Sequence, residues 1–168
     1  VQDSLTVQAG GELQLASGAT KTLYSLTLLN QGTVSWSGGT LQGGSTPTTV
    51  ISNGGLWQIT GNNVFNNPYG GPQMTWANAG TLRKSAGGGT SQLNEFNLVN
   101  QPSGVIDTLS GTLSFNGGPN SVLGGSLTAT APGLMSLVGG TWTDAGGSAS
   151  GTGTNQFNGG TLNLRTNI

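Results

Sequence analysis

The chain has 168 residues, 32 of them glycine, and Gly, Thr, Ser, Asn and Gln together fill more than half of its positions. Four Lys/Arg stand against five Asp/Glu, and the net charge of −1 offers no electrostatic pull on nucleic acid or anionic lipid. With no His and no Cys, the chain cannot build a thiolate or imidazole metal site, a Cys nucleophile, a His-dependent triad or a disulfide framework.

Gly and Pro recur too often for helices of ordinary length, and the apolar residues alternate instead, which predicts short strands. In chain order, Leu5/Val7 precede Gly11 and Leu13/Leu15 follow it. Leu26/Leu28 precede Gly32, Val34/Trp36 follow it, and Leu41 lies nine places after it. Gly55 is followed by Trp57/Ile59 and, nine places on, Val64; Met74/Trp76 precede Gly80; Phe96/Leu98 precede Gly104, with Leu113 nine places on. Leu127/Ala129 precede Gly133, Met135/Leu137 follow it, and Trp142 is ninth; Leu162/Leu164 follow Gly160. The marker glycines Gly11, Gly32, Gly55, Gly80, Gly104, Gly133 and Gly160 are spaced by 21, 23, 25, 24, 29 and 27 residues. Each unit thus predicts three short strands separated by Gly, Asn and Ser turns.

The copying is ungapped in places. Ser4-Leu5-Thr6 aligns with Ser25-Leu26-Thr27 and with Ser126-Leu127-Thr128, and the stretch from Gly32 to Leu41 matches that from Gly133 to Trp142. A unit this short cannot bury its inward side chains alone, whereas stacked units bury them in one column. The expectation is a single domain over residues 1–168, an all-β parallel solenoid of about seven coils of 21–29 residues. An antiparallel sandwich or barrel also has many short strands but gives no reason for the long-period copying. Asn30, Asn53 and Asn78 lie two residues before their glycines and Asn100 four before Gly104, so they are expected to turn the chain and to stack as a ladder.

The Asn-x-Gly-Thr stretches at Asn30–Val34 and Asn78–Leu82, with the Gly-Thr-Leu steps at Gly39, Gly111 and Gly160, resemble the passenger repeats of secreted bacterial adhesins of the autotransporter and filamentous-haemagglutinin type. That resemblance implies a right-handed β-helix, export, and a shaft or adhesive role at the cell surface or outside the cell. Starting at Val1, the chain reads as an excised piece of a longer polypeptide, and it has neither a membrane-span-length apolar run nor a signal-peptide pattern. Open end coils would expose strand edges, so the expected partners are neighbouring solenoid coils or copies of the chain stacked end to end into a filament. A carbohydrate-binding solenoid is a further alternative, with a glycan or host surface as partner.

No enzyme activity, cofactor or metal site is expected. Glycoside hydrolysis needs paired carboxylates, yet Glu12 and Asp107 fall on outward positions about four coils, roughly 19 Å, apart. Asp does not recur behind the glycines as calcium repeats require. Trp36, Trp57, Trp76 and Trp142 all phase with the core, Trp142 in the place of Leu41. The insertion from Asn62 to Pro72 carries Phe65 and Tyr69, the two side chains expected to meet a ligand if any local patch binds one, with Tyr69 as the stacking ring. Lys84 takes a core phase, and a bulge is expected to turn it outward. A threonine plane for ice is broken by Glu12, Leu56, Val105 and Leu134.

Overall fold

The computed structural model describes residues 3–165, and among them every regular element is a β-strand. The first coil runs through β1 (Asp3–Val7), β2 (Glu12–Leu15) and β3 (Lys21–Thr22), and the second through β4 (Leu26–Asn30), β5 (Thr33–Trp36) and β6 (Thr40–Gln42). The third comprises β7 (Val50–Asn53), β8 (Leu56–Ile59) and β9 (Val64–Asn66). The fourth takes β10 (Met74–Asn78), β11 (Thr81–Lys84) and the first half of β12 (Thr90–Asn100), whose second half opens the fifth with β13 (Val105–Thr108) and β14 (Thr112–Gly117). β15 (Ser121–Leu123), β16 (Ser126–Ala129) and β17 (Leu134–Gly139) make the sixth, and β18 (Thr141–Asp144), β19 (Ser148–Ser150) and β20 (Thr154–Phe157) the seventh. β21 (Thr161–Asn163) begins another turn.

Each strand pairs in parallel with its counterpart one coil on, so the molecule is a three-sided β-solenoid. Its second side is the seven-stranded sheet β2-β5-β8-β11-β13-β16-β19. The first and third sides merge into one 14-stranded sheet because β12 passes through the corner between them. Glu95, in a left-handed conformation (φ 62°), turns that corner, and the register shifts there between Asn94 and Phe96.

Alternation along each strand sends one set of side chains inward. Leu5, Leu28, Ile51, Trp76 and Leu98 stack on the first side, and Leu13, Val34, Trp57, Leu82, Ile106 and Leu127 on the second. Leu41, Phe65, Leu93, Phe115 and Leu137 stack on the third. The three columns meet in one core, where Trp57 and Trp76 pack edge to face with centroids 4.6 Å apart, and Phe65 lies 5.5 Å from both Trp76 and Phe96.

At the corner between the first and second sides the chain passes close over the coil below. The Gly32 carbonyl accepts from the Leu56 N–H at 2.9 Å, and the Gly55 carbonyl from the Thr81 N–H at 2.8 Å. A Cβ on Gly55 would press into the Gly32 oxygen. This close approach, repeated coil by coil, is what the marker glycine supplies.

The marker series needs one correction. Gly11, Gly32, Gly55, Gly80 and Gly104 do share this corner, but their successors are Gly125 and Gly147: Ser126 N–H donates to Gly104 O and Ser148 N–H to Gly125 O. Gly133 sits at the corner between the second and third sides, with its carbonyl accepting from Thr154, and Gly160 at the corner between the third and first, just before Thr161, whose N–H reaches Gly140 O. The coils therefore span 21 to 25 residues between successive markers. Trp142 accordingly belongs to the first side, between Ser121 and Leu162, and not in the column of Leu41. Leu5 stacks on Leu28 instead of Leu26, because the turn from β1 to β2 is two residues longer than the turn from β4 to β5. A one-residue extension before β9 likewise points Phe65 inward and Val64 outward.

A polar column runs beside the apolar ones. Asn30, Asn53, Asn78 and Asn100 close their strands on the first side, each 0–1% exposed. Asn30 Nδ2 donates to Asn53 Oδ1 at 2.7 Å, Asn53 Nδ2 to Asn78 Oδ1 at 2.8 Å, and Asn78 Nδ2 to Asn100 Oδ1 at 2.9 Å. The same three Nδ2 groups donate to the carbonyls of Leu56, Thr81 and Val105, each on the second side one coil further on. The ladder ends against apolar groups, with Val7 in register beyond Asn30 and Leu123 beyond Asn100.

Candidate functional site

The corner between the third and first sides is enlarged in two consecutive coils, over residues 43–49 and 67–73. The two insertions are stitched together: Gly43 N–H donates to Asn66 O at 3.0 Å, Ser45 N–H to Gly70 O at 3.1 Å, and Thr48 Oγ1 to Pro72 O at 3.0 Å. Thr49, fully buried, donates its hydroxyl to Leu23 O and accepts the Gly44 N–H, so the pair is anchored to the preceding corner as well. Tyr69 stands on the second insertion, 46% exposed, and its hydroxyl donates to Gln42 Oε1 at 3.1 Å. Tyr24, 59% exposed beside the left-handed Ser25, meets it edge to face with centroids 5.7 Å apart.

Phe65 is not part of this surface. It is 1% exposed and packs between Trp76 and Phe96, so the expectation that it meets a ligand is corrected by the extension before β9 that turns it into the core. Tyr24 is the residue that sequence reasoning missed. It lies outside any insertion, and its nearness to Tyr69 depends on how two later insertions fold back over the earlier corner.

The charged groups form no catalytic pair among the described residues. Glu12 accepts hydrogen bonds from Ser35 Oγ at 2.6 Å and Gln14 Nε2 at 3.2 Å, which lower its pKa. Asp107 faces outward in register with Arg83, is only 7% exposed, and pairs with the Arg83 Nε at 2.9 Å. Asp144 Oδ1 accepts the Gly146 and Gly147 N–H groups, and the Gly146 bond is the main cause of its lowered pKa. The outward column that begins Glu12, Thr33, Leu56, Thr81 continues through Val105 and Ser126, and the one through Thr90 and Thr112 is broken by Leu134, so neither is a continuous threonine ladder.

Lys84 overturns the expected bulge. β11 is regular there, Lys84 pairs with Ile59 and Thr108, and its side chain is fully buried. Its ammonium donates to Gly61 O at 2.7 Å, Ala86 O at 2.9 Å, Ser91 Oγ at 3.1 Å and Asn62 Oδ1 at 3.4 Å. Inward-facing oxygens at the corner between the second and third sides replace water, so the charge is hydrogen-bonded in place of being expelled. Lys21, half-buried in the first coil, likewise donates to backbone oxygens, those of Ser17, Gly38 and Ala19.

Burial holds the Lys84 pKa below the ordinary lysine value. Between that lowered value and the ordinary one, the unfolded chain keeps a proton that the folded chain has released, so folding stability rises with pH across this window. Urea midpoints are expected to climb through that alkaline window in the wild type and to lack this rise in Lys84→Met. Parallel pH profiles for the two would refute the assignment.

At the far end the core is open. A cavity of ≈ 340 Å³ is lined by Leu127, Met135, Leu137, Ala149, Phe157, Leu162 and Leu164, among others, with Phe157 and Leu164 exposed. It lies against β19 and β20, beyond which, among the described residues, only the first side has a further strand, β21. At the near end Leu5 is exposed in the same way. No helix long and apolar enough to cross a membrane, and no acidic, His or Cys cluster suited to a metal, occurs among the described residues. Compared with known proteins, the chain matches no family model, no curated protein and no solved structure.

Proposed function

We propose that this domain is a structural and adhesive segment of an extracellular or cell-surface solenoid, a rigid shaft with a hydrated, nearly uncharged exterior. The observation that carries the reading is the open core: among the described residues the apolar columns reach both ends with strand edges of the kind that a stacked coil covers. The continuous parallel ladder supports stiffness, and the Asn/Ser/Thr/Gln exterior supports hydration without charge.

A filament of stacked copies is the second reading. Placing β1 of one copy on β21 of another would set Leu5 over Leu162 and Val7 in the column that Leu164 enters. The same placement leaves β19 and β20 facing the cavity without a strand, because the first side reaches one strand further than the other two. A continuing solenoid would fill that step and a copy's first coil would not, which favours the shaft.

An antibody against residues 3–165 is expected to label intact, unpermeabilised cells that make the protein; labelling only after lysis would overturn the extracellular reading. In negative-stain images over a concentration series the shaft reading expects separate short rods, and concentration-dependent filaments would replace it with the polymer.

A further inference from the structure

The chain has two tyrosines, distant in sequence, and the fold brings them into contact on its surface. The large aromatic rings of the middle coils, Trp36, Trp57, Phe65, Trp76, Phe96 and Phe115, are all buried. Phe157 is exposed only where the solenoid is open. Tyr24 and Tyr69 are exposed in the body of the molecule, on a corner whose insertions are tied down by hydrogen bonds. Their planes are inclined at 78°, so the two rings form a notch with one face and one edge presented together.

The polar groups beside the notch are neutral. The Tyr69 hydroxyl donates to Gln42 Oε1 and lies 3.5 Å from Thr22 Oγ1. Thr22, Gln42 and Asn66 are in register on the outer face of the third side, one per coil. Asn94 and Asn116, in register with each other, carry the same outward phase into the next two coils. The nearby ionisable groups are already engaged, Glu95 by the Asn67 N–H and Lys21 by backbone carbonyls.

We infer that the Tyr24–Tyr69 notch and the outer amide row form a binding site for a neutral, linear oligosaccharide lying along the solenoid axis. A pyranose has an apolar C–H face and a rim of hydroxyls. The face stacks on a tyrosine ring and the rim hydrogen-bonds to amides and hydroxyls, the pairing of groups that this surface offers. Amides repeat at the coil spacing of about 4.8 Å, which is comparable to the length of one sugar residue, so successive sugars meet successive coils. The scarcity of free cations selects against sulfated or uronic glycans. This site stands whether or not the domain is a shaft.

The test is isothermal titration of the full chain with cellotetraose, xylotetraose and chitotetraose. At least one is expected to bind, with an affinity insensitive to added salt, and Tyr69→Ala to weaken it at least about tenfold through loss of the stacking ring. Tyr69→Phe, which keeps the ring and loses the hydroxyl, is expected to fall between. Tyr24→Ser, at an exposed corner, serves as a second variant with an unchanged melting temperature and the same loss. No heat with any of the three sugars, or binding that survives both Tyr69→Ala and Tyr24→Ser, overturns the inference.

Discussion

Replacing Trp76 with alanine is expected to cost about 4 to 5 kcal/mol of folding free energy, at the upper end of the range for buried aromatic truncations. The indole is 1% exposed and touches three rings supplied by three different strands: Trp57 from the second side, Phe65 from the third, and Phe96 from the next coil of the first. A Trp buries roughly 150 to 250 Å², and at about 25 cal/mol per Å² its full removal from water is worth ~4 to 6 kcal/mol, of which alanine keeps a part while the cavity adds to the loss. Phe65 and Phe96 are held edge to face against each other and cannot both collapse into the space without breaking that contact. Trp76 Nε1 has no hydrogen-bond partner, so Trp76→Phe, which removes that buried donor and keeps a ring, is expected to lose less than half as much. Urea unfolding at matched m-values measures both. A cost for Trp76→Ala below about 1.5 kcal/mol would mean that the aromatic cluster is not the centre of the core.

Asn53→Leu is expected to cost about 2 to 4 kcal/mol, since each buried group left unpaired costs roughly 1 to 3. The substitution removes the donor to both Asn78 Oδ1 and Thr81 O and the acceptor of Asn30 Nδ2, which keeps its bond to Leu56 O, while its own site is 1% exposed. Size is not the obstacle, because the column itself ends in Val7 and Leu123. Asn100→Leu should cost clearly less, about 1 to 2 kcal/mol. Asn100 is the last rung; its own bonds to Gly104 O and Ser126 O are long at 3.3 and 3.4 Å, and Asn78 Nδ2 keeps its bond to Val105 O. Replacing all four asparagines by Leu is expected to cost less than the sum of the four single changes, because no amide is then left facing an apolar neighbour. Equal costs at Asn53 and Asn100, or a strictly additive fourfold variant, would argue against a coupled ladder.

Much of this architecture was legible in the residues, and the errors share one origin. Alternation found the inward faces of β2, β5, β8 and β10 correctly, and the glycine spacing found the coil length through Gly104. Beyond that point the reading slid by one corner at Gly133 and by two at Gly160. The Gly-Thr-Leu step serves all three corners, as Gly80, Gly111 and Gly160 show, so a segment of the second side near Ser126 copies a segment of the first near Ser25. Lys84 was misplaced for another reason. Its phase was read correctly, but the four oxygens that accept its ammonium come mainly from the following corner and the coil below, and no local pattern announces them.

The candidate surface divides in the same way. Tyr69 stood out because Asn, Pro and Gly around it mark an insertion, whereas Tyr24 acquired its role from two loops folding back across the corner it occupies. What the linear order of residues settles here is the period, the alternation and the uncharged exterior, because each depends on neighbours within a few positions. Which corner a glycine occupies, which coil supplies a buried lysine with acceptors, and which rings meet outside depend on small differences in turn length that accumulate from coil to coil. Those differences are expressed only when the coils lie on one another.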